Sequence, residues 1–305
     1  MKTIAVVVNK NWETEPVLNA LTNGDLRPDN LPFPETLNSP KDKDNKMKIP
    51  RAIFRFPKRK MGEVVDDTLL VKVWCIQDLM SPDESSSSSE EKFKVLPVIL
   101  KEENPDLVIA VGTAGYPLEN VSLNGSVVVG ANFFIHNGHP GNSHSNLDVP
   151  EIGKLLASNI NSDLFDPPKS PFTKNFKSVV ESKFLPTPRN PATKAVCMAS
   201  KVFTAISSVN VTDYSEYNWV DHEAVAHFKQ VENRLPAHSL ETTHGVIKIS
   251  TDKPVIFVSA ITDRLGSFDF EVTSSQNYAA SFNAGLVLGE LLCSLNDLVV
   301  KGVDF

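Results

Sequence analysis

Three short, almost wholly apolar runs limit what this chain can fold into: Thr3–Val8 (TIAVVV), Asp106–Val111 (DLVIAV) and Pro254–Ala260 (PVIFVSA). None alternates polar with apolar residues. Each therefore reads as a strand buried on both faces, the habit of parallel sheets covered by helices. The last run stops at Ile261-Thr262-Asp263, where a hydroxyl and a carboxylate arrive together, and Gly266 follows as a turn signal. A carboxylate at the carboxyl end of a buried parallel strand sits where open α/β sheets place their ligands. The same residue would equally suit the cap of a following helix.

Between these runs the pattern changes period. Arg51–Phe56, Leu69–Ile76, Val127–Ile135 and Lys194–Ala199 read as further strands. Glu15–Leu21 (opened by Pro16), Lys92–Glu102, Val149–Ile160, Tyr217–Glu232, Ser239–Ile249 and Glu271–Leu295 read as helices. In the last of these, Tyr278, Phe282, Leu286 and Leu292 form a stripe for packing on the sheet. Strands alternating with helices, without internal repeat, imply an α/β fold: three α/β/α layers around a mostly parallel, mixed central sheet. The segment Gly112-Thr113-Ala114-Gly115 reads as a tight turn at a strand end.

The expected organisation is one domain over 1–305, with loop-rich insertions at about 22–50, 161–192 and 209–237. Ser81–Glu91 is low complexity. At 305 residues and 41% hydrophobic composition the chain can bury a large core. No run approaches the roughly eighteen apolar residues of a membrane span, and Met1–Val8 is too soon interrupted for a signal peptide. Cys75, Cys197 and Cys293 show no metal-like spacing, which fits reduced thiols in a cytoplasmic protein. A net charge of −7 argues against a nucleic-acid surface.

The polar motifs fall in a telling order. Gly112–Gly115 follows PDLVIAV and precedes LNGSVVV at 123–129, and SLET at 239–242 precedes VSAITD at 258–263. This series resembles the nucleoside phosphorylase and methylthioadenosine/adenosylhomocysteine nucleosidase superfamily, whose members carry G-S/T-x-G, V-G-D-I-V-V, a Met-Glu pair and S-D. The resemblance covers most of the sheet. It implies a nucleoside phosphorylase-like fold, a small-molecule nucleoside as ligand and a homo-oligomer, with a dimer as first expectation. No metal or other cofactor is implied beyond phosphate as co-substrate of a phosphorylase.

By that resemblance Asp263 protonates the purine leaving group, and Glu241, in the pair Leu240-Glu241, holds the ribose hydroxyls. Thr113, Ala114 and Gly115 lie nearest the attacking water or phosphate. Val202 and Phe203 contact the base, and Phe268, in Ser267-Phe268-Asp269, meets the 5′-substituent. Aligning the nucleosidases' M-E-E-E with Trp12-Glu13-Thr14-Glu15 makes Glu15 the base that activates water, with Glu13 a neighbour. The chemistry suits these types: a carboxyl of raised pKa can donate a proton to a leaving base, and a carboxylate can stabilise an oxocarbenium-like sugar.

The acceptor is the open choice. Ala110 stands where hexameric phosphorylases carry an Arg before the glycine loop, and no Gly-Asp-Pro-x-Arg follows the first strand, so hydrolysis is favoured over phosphorolysis. The chain also departs from the nucleosidases: Asn124-Gly125-Ser126-Val127 lacks the motif's Asp, and no G-I-G-K segment follows Ile76. A non-catalytic nucleoside-binding or storage relative is therefore a competing reading. His136, His139 and His144 share a polar loop without zinc-like spacing and read as solvated or as edging the pocket.

Overall fold

The computed structural model describes residues 1–40, 48–60, 63–80, 89–138, 151–211, 214–232 and 237–305. The strands are β1 (Lys2–Val8), β2 (Thr36–Leu37), β3 (Ala52–Lys60), β4 (Glu63–Cys75), β5 (Leu107–Tyr116), β6 (Val127–Gly130), β7 (Asn132–His136), β8 (Leu155–Ala157), β9 (Cys197–Ala199), β10 (Thr204–Ser208), β11 (Ser239–Glu241) and β12 (Val255–Arg264). The helices are α1 (Asn11–Thr22), α2 (Ile76–Leu79), α3 (Ser89–Glu103), α4 (Lys174–Ser182), α5 (Tyr217–Glu232), α6 (His244–Ile249), α7 (Phe268–Glu271) and α8 (Ser274–Val300).

The three apolar runs lie side by side. β1 and β12 flank β5, both parallel to it. Successive side chains on a strand point to opposite faces, and each run feeds two cores. Val6, Ile109 and Val258 join a cluster under α1 and α8, while Val7, Val108 and Phe257 join one under α3 and α6. Burial on both faces is why these runs do not alternate. The result is a mixed sheet between helical layers, in the order β2-β3-β4-β1-β5-β11-β10-β7-β8, with β12, β6 and β9 branching from β5.

α8 is the longest helix among the described residues and packs along α1. The approach is close at Gly285, where a Cβ would lie 2.7 Å from the Cβ of Ala20 and from the Val17 carbonyl. This contact fixes where α1 sits.

Tertiary pairing overrides several sequence expectations. The Gly112–Gly115 segment is not a turn: β5 runs through it because β12 pairs with it as far as Tyr116. Asp263 likewise lies inside β12, at a bulge between Ile261 and Asp263, and does not cap a helix. Val127–Ile135 divides at Ala131 into β6, which joins β12, and β7, which joins β10. Ser239–Ile249 is not one helix: Ser239–Glu241 is drawn into the sheet beside β10, and α6 starts only at His244. Within Val149–Ile160, Gly153 adopts φ +72, a conformation helices exclude, and Leu155–Ala157 pairs with β7.

Two further differences bear on the site. The Pro-rich region 161–192 contains α4, capped by Thr173, whose hydroxyl accepts from the Phe176 N–H at 3.1 Å. α1 begins at Asn11 and not at Glu15. The Glu13 carboxylate folds back to accept from the Lys10 N–H at 3.0 Å, a capping arrangement that starts the helix four residues early. Of the low-complexity stretch, 81–88 lies outside the described residues, as do His139 and His144.

Candidate active site

The carboxyl ends of β1, β5, β11 and β12 open on a cavity of about 690 Å³, closed over by residues of α1, α5, α7 and α8. Its floor is the 112–115 segment of β5, where the two glycines make room for acids. A Cβ on Gly112 would lie 3.2 Å from Glu13 Oε1 and 3.3 Å from His244 Nε2; one on Gly115 would lie 3.1 Å from Asp263 Oδ2. Between them, Thr113 donates to Glu13 Oε1 twice, from its N–H at 2.7 Å and its hydroxyl at 2.9 Å. Burial pushes the Glu13 carboxyl upward, while these bonds and the Lys10 N–H pull it back.

Asp263 faces the same hollow from β12. Its Oδ1 accepts from the Thr262 hydroxyl at 2.7 Å, leaving Oδ2 turned toward Gly115. Burial raises this carboxyl to about 7, against the Thr262 hydrogen bond and with Glu271 adding to the rise. A carboxyl in that range is present in both protonation states at neutral pH, as a general acid requires.

Glu241, at the end of β11, is engaged by its own turn. Oε1 accepts from the Ser207 hydroxyl, and Oε2 accepts from the N–H groups of Thr243 and, at 2.6 Å, His244. Leu240 packs beside it in the cavity wall and in the small core beneath α5. Behind the turn, Lys92 of α3 is buried and donates to the Thr243 hydroxyl at 2.8 Å. Burial, with Lys10 nearby, lowers this ammonium to about 8, although Glu241 and Glu13 oppose the fall.

The other residues expected from sequence divide clearly. Thr113, Ala114, Gly115 and Phe268 line the cavity. Glu15 lines it too, but is half-exposed and ion-paired with the buried Arg51, which also bonds Asn11 and Asp78. Residues two apart on a helix point away from each other; the capping bend sends Glu13 inward and leaves Glu15 to Arg51. Val202 and Phe203 do not reach the cavity. They lie at the start of β10, the far end of the sheet, where Phe203 stacks on His238 at 3.8 Å and Val202 is exposed. The intervening β10, which the sequence reading lacked, separates them from the site.

The cavity also contains residues that sequence reasoning missed: Trp12, Tyr217, Asp221, His244, Asn277 and Tyr278. Tyr217 stacks on Phe268 at 4.8 Å, so an aromatic pair forms part of the wall. A signal for Asp221 existed, since it stands on the inward stripe of α5 with Ala224, Val225 and Phe228. Among the described residues no group of three or more His, Cys, Asp or Glu side chains is arranged to hold a metal.

No family model and no curated protein matches the sequence. The fold, however, matches solved structures along nearly its whole length. It is similar to the 5′-methylthioadenosine/S-adenosylhomocysteine nucleosidase of Neisseria meningitidis solved with methylthio-immucillin-A: TM-score 0.50, 15% identity, 96% of this chain and 100% of that chain covered. It is similar to the corresponding nucleosidase of Colwellia psychrerythraea 34H in complex with adenine: TM-score 0.51, 11% identity, 96% of each chain covered. The same holds for a futalosine hydrolase mutant of Helicobacter pylori: TM-score 0.50, 10% identity, 96% of this chain and 99% of that chain covered. The likeness establishes the nucleoside phosphorylase-like fold that the motif order implied.

Proposed function

We propose that this chain hydrolyses the N-glycosidic bond of a purine nucleoside or a 5′-modified adenosine. The observation that carries the reading is the placement of Glu13 against Thr113, on the floor of a cavity that Asp263 and Glu241 also line. A water held at that floor can be activated by Glu13 in its ionised form. Asp263, protonated, can neutralise the departing base, and Glu241 can steady the ribose as positive charge develops. The nucleosidase neighbours solved with methylthio-immucillin-A and with adenine support a ligand of this class.

Water is favoured over phosphate as acceptor for an electrostatic reason. Phosphate would need the donors of Thr113, and a buried carboxylate already occupies both of them. An incoming anion would be repelled there.

One observation favours a second reading, a nucleoside binder without turnover. Three of the roughly four lone-pair positions of the Glu241 carboxylate are taken by Ser207, Thr243 and His244. To grip vicinal hydroxyls it must share them or turn. Release of free base from adenosine, inosine and methylthioadenosine, with and without phosphate, tests both readings. Phosphate-independent release is expected; release only with phosphate, or none at all, would overturn hydrolysis.

A further inference from the structure

Helix α5 carries an acid where its pattern calls for an apolar residue. Tyr217, Asp221, Ala224, Val225 and Phe228 recur at helical spacing on one face. Ala224, Val225 and Phe228 pack against Phe134, Ile206 and Leu240, and Asp221 continues the same stripe into the cavity wall. Its side chain is only 7% exposed, yet among the described residues the structure gives it no hydrogen bond and no ion pair. Asp263 and Glu241 are the charges that face it, and together with burial they hold its carboxyl well above the usual range. A buried polar group without a partner is costly, and the core here requires none.

The surroundings indicate what would satisfy it. Asn277, also in the wall, has a buried Oδ1 without a hydrogen-bond partner among the described residues. Asp221 keeps an acceptor oxygen in either protonation state, so it and Asn277 give this end of the cavity two acceptors that no described residue engages. A ligand N–H donor would satisfy these acceptors, whereas a ligand carbonyl oxygen would leave the Asn277 Oδ1 unpaired.

We propose that Asp221 is a specificity-determining residue whose carboxyl accepts a hydrogen bond from an exocyclic amino group on the ligand's heterocycle, so that amino-substituted purines are preferred over their oxo counterparts. The proposal rests on the purine-nucleoside reading of this cavity but not on turnover. Asp221 stands beside the reacting groups of that reading and is not one of them.

The test compares wild type, Asp221→Asn and Asp221→Leu in the full chain, each checked for an unchanged fold by thermal melting. Binding of adenine and hypoxanthine is measured by calorimetry, and kcat/KM for adenosine and inosine by base release. Wild type is expected to favour the amino member of each pair. Asp221→Asn, whose amide can donate to an oxo group, should shrink that preference about tenfold or more, and Asp221→Leu should lose adenine affinity without gaining hypoxanthine. A residue that merely supports α5 would lower both members of a pair alike, and an unchanged ratio in both variants overturns the assignment.

The two readings fail separately. Turnover with a ratio indifferent to Asp221 leaves the hydrolase reading standing and removes this one. Adenine binding that depends on Asp221 without base release does the reverse. Failure of wild type to bind either base removes both.

Discussion

Glu13 and Glu15 stand two residues apart in α1 and differ in their whole environment in the fold. The first is buried against Thr113; the second is half-exposed and ion-paired to Arg51. If Glu13 activates water, Glu13→Gln should lower kcat by ~10²–10⁴-fold, and Glu15→Gln should leave it within a few-fold. Steady-state base-release assays decide between them. Asp263 carries a pH signature of its own. Its carboxyl titrates near 3.8 when unperturbed and about 7 in the fold. Activity that needs the proton should therefore fall as pH rises through about 7, while the need for ionised Glu13 lowers it on the acid side. The linkage has the opposite sense from an ordinary salt-bridged carboxylate. Between about pH 4 and 7 the native state holds a proton the unfolded chain has lost, so the stability from this group is full below that window and is lost as pH rises through it. Asp263→Asn should abolish turnover yet stabilise the fold at pH 8, by on the order of a few kcal/mol, and make little difference at pH 4. Denaturant melts at the two pH values measure this.

At the scale of elements, β5 does the positioning. Its glycines are required by the acids on either side, because their missing side chains leave space for Glu13, His244 and Asp263. Gly112→Ala should push Glu13 aside by a few tenths of an ångström and lower kcat by up to about 10²-fold, the cost of a full 1 Å displacement at a reacting group, with KM and melting temperature changed much less. A parallel loss in kcat and stability would show that Gly112 serves packing. α1 couples to the same site from further away. Gly285 seats α8 against Val17 and Ala20, so Gly285→Val should destabilise the chain by about 1–3 kcal/mol through overpacking and also reduce kcat as α1 carries Glu13 outward. Calorimetric melting and base-release rates on the one variant test whether the two losses appear together.

For the whole molecule, charge sets which ligands can approach. The chain carries a net −7, and Glu13, Asp221, Glu241 and Asp263 all line one cavity. Nucleoside 5′-monophosphates should be poor ligands: kcat/KM for adenosine 5′-monophosphate is expected to be at least about 100-fold below that for adenosine, with the gap narrowing as salt screens the field. Equal turnover of the two would show that the net charge and the acids of the cavity raise no barrier to an anionic ligand, or that another cavity does the chemistry.

Some of this architecture was legible before any coordinates. Runs such as Val255–Ala260 lie buried whichever face they turn, so burial in parallel strands follows from composition over about six residues. Thr113 and Asp263 were found because they sit at the ends of such runs, where topology leaves an opening; Glu241 was reached only through the motif order, since its segment read as a helix. What local pattern could not reveal are choices made by distant partners. Glu13 turns inward because Thr113, a hundred residues away, offers it two donors. β10 intervenes beyond Phe203 because β7 and β11 supply its two edges. Asp221 faces Asp263 because α5 folds over the sheet and brings its stripe to the cavity. Hydrophobic burial is written residue by residue and can be read along the chain. Which acid meets which donor depends on contacts that exist only after the sheet has closed, and only the tertiary structure decides it.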